Sequence, residues 1–400
     1  MINPARWSLA LGATLALSVG TLAPALVTAD AVAAPAAPVS SGSSVSSGSS
    51  VSSPAPKTSL PSRLHARIAA AARDLGLDRS PARLALQRAI NPDDYTCGST
   101  DFDPYIASLL KDMTPSDIEF LVDTEAIQLV TFEAIFFGSD TDPRYALPAD
   151  YRTELKHTFR DARRFWDIKS GDIQLHAMHG SMLTDASRVA RVLRVFGFDQ
   201  HDAADFARVI ARRVAATPAF QGGDNPIFTL NAFAFTPSEE SNPELFEGVP
   251  DKLIFGDGIL DAFEALHMTD VAPRGVLAHE FAHHVQFEDH LFDSPLTGAE
   301  ATRRTELMAD GMGTYFLTHS RGLALNKRRV LEAEKSFYEV GDCAFTDPNH
   351  HGTPNQRLRA SQWGAQLATS AQKQGHILPS LRVARLFEQA LPGIVAPDAS

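Results

Sequence analysis

Two histidines and a glutamate stand together in Leu277-Ala278-His279-Glu280-Phe281-Ala282-His283-His284-Val285. On a helix His279 and His283 fall one turn apart on one face, so both imidazoles can reach a single tetrahedral zinc ion through nitrogen. Glu280 lies about 100° around the helix from His279, beside such a metal rather than on it. A carboxylate there can act as general base toward a water on the metal. The segment thus offers ligands and base together. With 14 histidines in the chain, so short a pattern can also arise by chance.

A second segment, Thr305-Glu306-Leu307-Met308-Ala309-Asp310-Gly311, supplies what the first lacks. Glu306 and Asp310 share a helix face, and Gly313 shares it too, so this helix can approach the first closely and present two carboxylates. Glu306 is the expected third zinc ligand. Asp310 is placed to accept the other ring N–H of a ligating histidine and fix its tautomer. The competing reading makes Glu306 and Asp310 a solvated pair facing Arg303 or Arg304.

The elements around these residues follow from pattern. Leu277, Phe281 and Val285 recur on the face opposite the histidines, which predicts one face in the core and the other toward a cleft. Thr297 and Glu300 have the spacing of a capping box for the second helix. Upstream, helices are expected at Pro61 to Leu75, Pro115 to Phe137, Ala149 to Trp166, Asp185 to Phe196 and Asp202 to Ala216. Two of them start with residues suited to helix N-termini, Thr114-Pro115-Ser116-Asp117 and Pro148-Ala149-Asp150. Strand character appears in Ile227 to Phe235 and Lys252 to Gly256. The expected class is α+β, predominantly helical, with a small sheet and the His-Glu-x-x-His helix as its active-site element.

The 400-residue chain carries a formal net charge of −12, which disfavours a charge-driven grip on nucleic acid or anionic lipid. Residues 1–33 read as a signal peptide: Arg6, an apolar run from Trp7 to Val27, then Ala29-Asp30-Ala31 or Ala31-Val32-Ala33 as cleavage site. An uncleaved anchor helix is the alternative. Residues 34–57 form a flexible Ser/Ala/Pro-rich linker with a repeated Val-Ser-Ser-Gly-Ser-Ser unit. A helical region over 58–217 and a catalytic region over 218–395 are expected to follow. Ile118 to Phe137 is apolar but interrupted by Glu119, Asp123, Glu125 and Glu133, so it reads as a buried helix, with no stable membrane insertion once the leader is cleaved. Cys97 and Cys343, the only cysteines, suggest one disulfide in an oxidising compartment; two buried thiols, or Cys97 as a removable zinc ligand, are the alternatives.

His279-Glu280-Phe281-Ala282-His283-His284-Val285-Gln286 followed by Glu306-Leu307-Met308-Ala309-Asp310 resembles the glutamate-type zincins, in particular the bacterial neutral zinc metallopeptidase family. His351-Gly352-Thr353-Pro354-Asn355-Gln356-Arg357 resembles that family's His-Gly-Thr-x-x-Gln-Arg ending, and the match spans roughly residues 225 to 365. The resemblance implies zinc on His279, His283 and Glu306, and catalysis by Glu280. Phe281-Ala282 departs from the family's usual aliphatic-Gly pair, and Met308 stands where Gln is common. Among His350, His351, Tyr315 and Tyr338 as donors to a developing oxyanion, the ending motif favours His351; the alternative is that His351 pins a loop.

A secreted or envelope-located zinc metallopeptidase acting on peptide or protein substrates is therefore expected, with Ile227 to Phe235, which contains Asn231 and Ala232, or Lys252 to Gly256 as the candidate binding edge for substrate; ordinary core sheet is the alternative for both. Two other functions fit the same residues: an exported zinc-binding envelope protein without turnover, and a zinc amidase acting on a non-protein amide.

Overall fold

The computed structural model describes residues 13–14, 65–70, 102–240, 243–338, 352–374 and 376–396. Cys97, Cys343, His350 and His351 lie outside the described residues, as do the linker and all of the leader but Ala13 and Thr14.

The front of the chain carries helices α1 (Phe102–Leu110), α2 (Pro115–Asp123), α3 (Ala126–Phe137), α4 (Ala149–Phe165), α5 (Ala186–Val195) and α6 (Gln200–Ala216). The Thr114 cap forms as its residues suggest: Asp117 N–H donates to the Thr114 hydroxyl while Thr114 N–H donates to Asp117. The helix expected over Pro115 to Phe137 is instead two. Glu125 takes a left-handed backbone with φ 51° and breaks it, and its buried carboxylate meets His65 at 3.2 Å. Farther along, Glu133 is buried but neutralised by a two-pronged bond from Arg188, both contacts 2.8 Å, and by the Tyr145 hydroxyl at 2.7 Å. Among the described residues no helix is long and apolar enough to cross a membrane.

Among the described residues four short strands form one mixed sheet in the order β1-β3-β4-β2: β1 (Ala13–Thr14), β2 (Gln174–Met178), β3 (Ala232–Phe235) and β4 (Lys252–Gly256). β4 runs antiparallel to β3 and parallel to β2, and β1 pairs antiparallel with β3, Ala13 opposite Ala234. The strand expected from Ile227 begins only at Ala232, because Asn225 accepts from Ile227 N–H and Pro226 opens a 3-10 turn over Pro226–Thr229. β2 escaped the pattern reading: Gln174 and His176 break its apolar run, and His176 is itself buried. The sheet draws on both sides of the boundary expected near residue 217. β4 is paired on both sides and is no free edge, so Lys252 to Gly256 is removed as a substrate-binding edge. Its Lys252 is buried too, donating to Gly138 O at 2.6 Å beyond the C-terminus of α3, where carbonyls point outward.

The back half adds α7 (Asp257–Ala265), α8 (Ala272–Glu288), α9 (Ala299–Thr318), α10 (Lys327–Tyr338), α11 (Pro354–Gln374) and α12 (Ser380–Ile394). α8 packs against α4, β3 and α9, so it is covered on both faces, and the histidine face expected to open on a cleft is buried. The Thr297–Glu300 box does not form: α9 starts after Gly298, whose φ of 56° suits glycine, with no side-chain cap. Two glycines, one on α9 and one on α11, allow close crossings. A Cβ on Gly313 would stand 3.2 Å from the backbone of Ala278 and His279, which is the close approach to α8 expected from the sequence. A Cβ on Gly364 of α11 would stand 2.1 Å from Gly311 O. Gly364→Ala is therefore expected to lower stability by about 1–3 kcal/mol through overpacking. A denaturant midpoint equal to the parent's would contradict this crossing.

Candidate metal centre

α8 and α9 bring His279, His283 and Glu306 together in the core, and this buried trio could hold a metal ion. His279 Nε2 lies 3.0 Å from His283 Nε2 and 3.4 Å from Glu306 Oε2, and His283 Nε2 lies 3.6 Å from Glu306 Oε1. A tetrahedral ion with bonds near 2.0–2.1 Å separates its ligands by about 3.3–3.4 Å, so the spacing of this donor set suits zinc. The alternative for Glu306 and Asp310 does not hold: Arg303 pairs with Glu300 and Arg304 with Glu388, while both carboxylates face α8.

Both histidines are oriented from behind. His279 Nδ1 pairs with Asp310 Oδ1 at 2.9 Å, which turns Nε2 toward the other ligands. Asp310 is in turn held by a two-pronged bond from Arg357, 2.9 Å at each contact. For His283 the partner is Gln286. Its Nε2 donates to Thr305 O at 2.8 Å, so its Oε1 is the acceptor for His283 Nδ1–H, also at 2.8 Å. This link joins the ligand-bearing helices one residue before Glu306. The third histidine, His284, is no ligand: its Nε2 donates to Lys252 O at 2.9 Å.

Glu280 is buried beside the trio. Its Oε2 accepts from Ala234 N–H at 2.9 Å, and its Oε1 has no hydrogen-bond partner among the described residues. One oxygen is thus anchored to the sheet and the other remains available. Asn231, within the candidate binding edge, is also buried, with neither side-chain atom hydrogen-bonded among the described residues. Tyr315 is removed as an oxyanion donor by its place: it lies nine residues beyond Glu306 on α9, about 13 Å along the axis, in an aromatic cluster with Phe165 and Trp166.

Burial and charge set the protonation. Burial alone would deprotonate His279, but Asp310 and Glu306 outweigh it and push the ring up to about 10. For His283 burial prevails over Glu306 and lowers it to about 3. Burial raises Glu280 well above the usual carboxylate range, and Glu306 adds to this. Burial would raise Asp310 as well, yet Arg357 and His279 hold it well below that range. The metal-free trio therefore keeps a proton on His279 between two carboxylates, and a cation must displace it. Zinc added to stripped protein between pH 6 and 8 should release at least one proton, from His279, and a second where Glu280 ionises, with affinity rising about tenfold or more per pH unit. Calorimetry in two buffers of different ionisation enthalpy reads this release, and no net release would remove His279 from the ligand set.

Asp310→Asn should weaken zinc about 10–100-fold through loss of the histidine's orienting partner. It should also destabilise the fold, by about 3–5 kcal/mol, because Arg357 becomes an unpaired buried charge. Competition with a chromogenic chelator and a urea titration measure the two effects separately.

Neither the family models, the curated proteins nor the solved structures compared with this chain contain a match. Gln286 and Arg357 had been visible only as letters of the resembling motifs. Their roles depend on which way the second helix faces. The Ala234 amide carries no side-chain signal at all.

Proposed function

We propose that this chain is a zinc hydrolase of the zincin type that cleaves peptide bonds, with His279, His283 and Glu306 holding the metal and Glu280 as general base. The observation that carries the reading is the partnerless Oε1 of Glu280 beside three donors at tetrahedral spacing. When bound, zinc supplies Lewis acidity, lowering the pKa of a water and polarising a carbonyl. Glu280 takes the water's proton on Oε1 while Ala234 N–H holds Oε2 in place, then delivers that proton to the leaving nitrogen. Asp310 and Gln286 hold the imidazoles in one tautomer throughout. A purely structural zinc site is closed by four protein ligands and needs no base, whereas here three possible ligands stand beside a carboxylate, Glu280, that is not one of them.

β3 is the strand nearest Glu280, and its outer side is covered only at Phe233 and Ala234, by Thr14 and Ala13 of the leader, so removal of the leader would free this edge where β4 stays paired on both sides. An extended peptide can add to it in the same way. Export through the leader sequence belongs to the same reading and sets where substrate would be met.

Cleavage of casein or a peptide library by the purified protein, abolished by a chelator and restored by zinc, is the expected result. Zinc at one per chain without hydrolysis of any amide would favour the non-catalytic binding protein. Activity confined to cell-wall amides would favour the amidase.

A further inference from the structure

At the far end of β3 from its first residue lies a cavity of about 540 Å³. Its walls come from the residues that follow β3, those that precede β2 and β4, and the last turn of α8. Three carboxylates, Asp172, Asp251 and Glu288, line it against one ammonium, Lys169, with His290 at the side. Behind Asp251 sits the fully buried ring of His284. Its Nε2 donates to Lys252 O, while its Nδ1 makes no hydrogen bond and points at Asp251 Oδ2 from 3.4 Å. Acceptors therefore outnumber donors at this wall, which is the deficit that a donor-rich cation fills.

Two rulers place the cavity relative to the metal trio. Glu288 lies five residues beyond His283 on α8, about 7–8 Å along the helix axis. Thr236 lies two residues beyond Ala234, just past the end of β3, about 7 Å along the strand direction, and Ser238 follows in the 3-10 turn Pro237–Glu239. The pairing of β1 gives the direction. Ala13 stands opposite Ala234 and Thr14 opposite Phe233, so the N-terminal end of a strand added to β3 points toward Thr236 and the cavity.

We infer that this cavity is a specificity subsite for a lysine or arginine side chain lying two to four residues on the N-terminal side of the scissile bond. The inference rests on the peptidase reading for its position relative to the bond, but the subsite itself can be read by binding alone. An ammonium or guanidinium entering the cavity meets Asp172, Asp251 and Glu288 and supplies hydrogen-bond donors to them. An acidic side chain meets repulsion from the same three. Glu288 already registers this field, its carboxyl raised by burial and then by Asp172 and Asp251.

The test uses Glu280→Gln protein loaded with zinc and fluorescent peptides that differ only at those positions, carrying Lys, Ala or Glu. Fluorescence anisotropy is expected to give the Lys peptide about tenfold tighter binding than Ala, and Glu weaker still. The Asp172→Asn/Glu288→Gln double variant should bind Lys and Ala peptides alike, and its affinity for the Ala peptide should match that of the parent. Equal binding of Lys and Glu peptides by the parent overturns the subsite. A preference that survives the double variant overturns its assignment to these residues. Selective binding by the parent, with no cleavage of the Lys peptide by wild-type protein, leaves the subsite standing and overturns the peptidase reading instead.

Discussion

Glu280→Gln is expected to leave zinc at one per chain while turnover falls by about 10³-fold or more, the upper part of the range for loss of a positioned acid–base group. The substitution suits the local geometry. A glutamine oxygen can still accept from Ala234 N–H, so the side chain stays in place and only the proton-accepting capacity at Oε1 is removed. Stability supplies an internal control. The buried Glu280 has its folded pKa raised, so in metal-free protein it holds a proton that the unfolded chain has released. Native stability therefore declines as pH climbs from the unfolded value of a glutamate toward the raised one. Glutamine lacks this decline, so the metal-free variant should match the parent near pH 4 and become the more stable of the two as pH increases. Full activity in the zinc-loaded variant would end the general-base assignment.

The second large effect is expected at Glu306. Zinc binding in small structural sites is worth about 10–16 kcal/mol over four ligands, or roughly 3–4 kcal/mol for each. Glu306→Ala should therefore weaken zinc by a factor on the order of 10²–10³. Dialysis against a buffered zinc series, followed by metal analysis, reads this directly. The Gln286 to Thr305 O bond uses backbone and remains in the variant, so α8 and α9 should keep their packing, and circular dichroism should be unchanged. Unaltered zinc affinity would place the third ligand elsewhere.

Much of this centre was legible in the sequence because its signals are local. The four-residue spacing of His279 and His283, and that of Glu306 and Asp310, each specify a helix face, and Gly313 marked the side on which those faces meet. What escaped depends on contacts between distant segments or on backbone. Arg357 reaches Asp310 from a helix 47 residues on, and Ala234 offers only an amide. The break at Glu125 was hidden because a left-handed glutamate is stabilised by its burial against His65, a contact across the fold. The Thr297–Glu300 box failed for a local reason, since Gly298 carries the turn into α9 without needing a cap. β2 was missed because a polar histidine is buried in it, where the period-two pattern expects an apolar residue.

The crossing at Gly313 carries a mechanical consequence. Glu306 lies seven residues from it, so α9 acts as a lever about 10 Å long pivoting on the backbone of Ala278 and His279. Metal–ligand distances tolerate departures of about 0.2 Å, which that lever converts into an angular tolerance of about one degree. A tilt of α9 by a few degrees would carry Glu306 out of coordinating distance and would shift Asp310 and Thr305, the supports of His279 and Gln286, with it. The glycine is then a fulcrum whose play would set how firmly the trio could grip an ion.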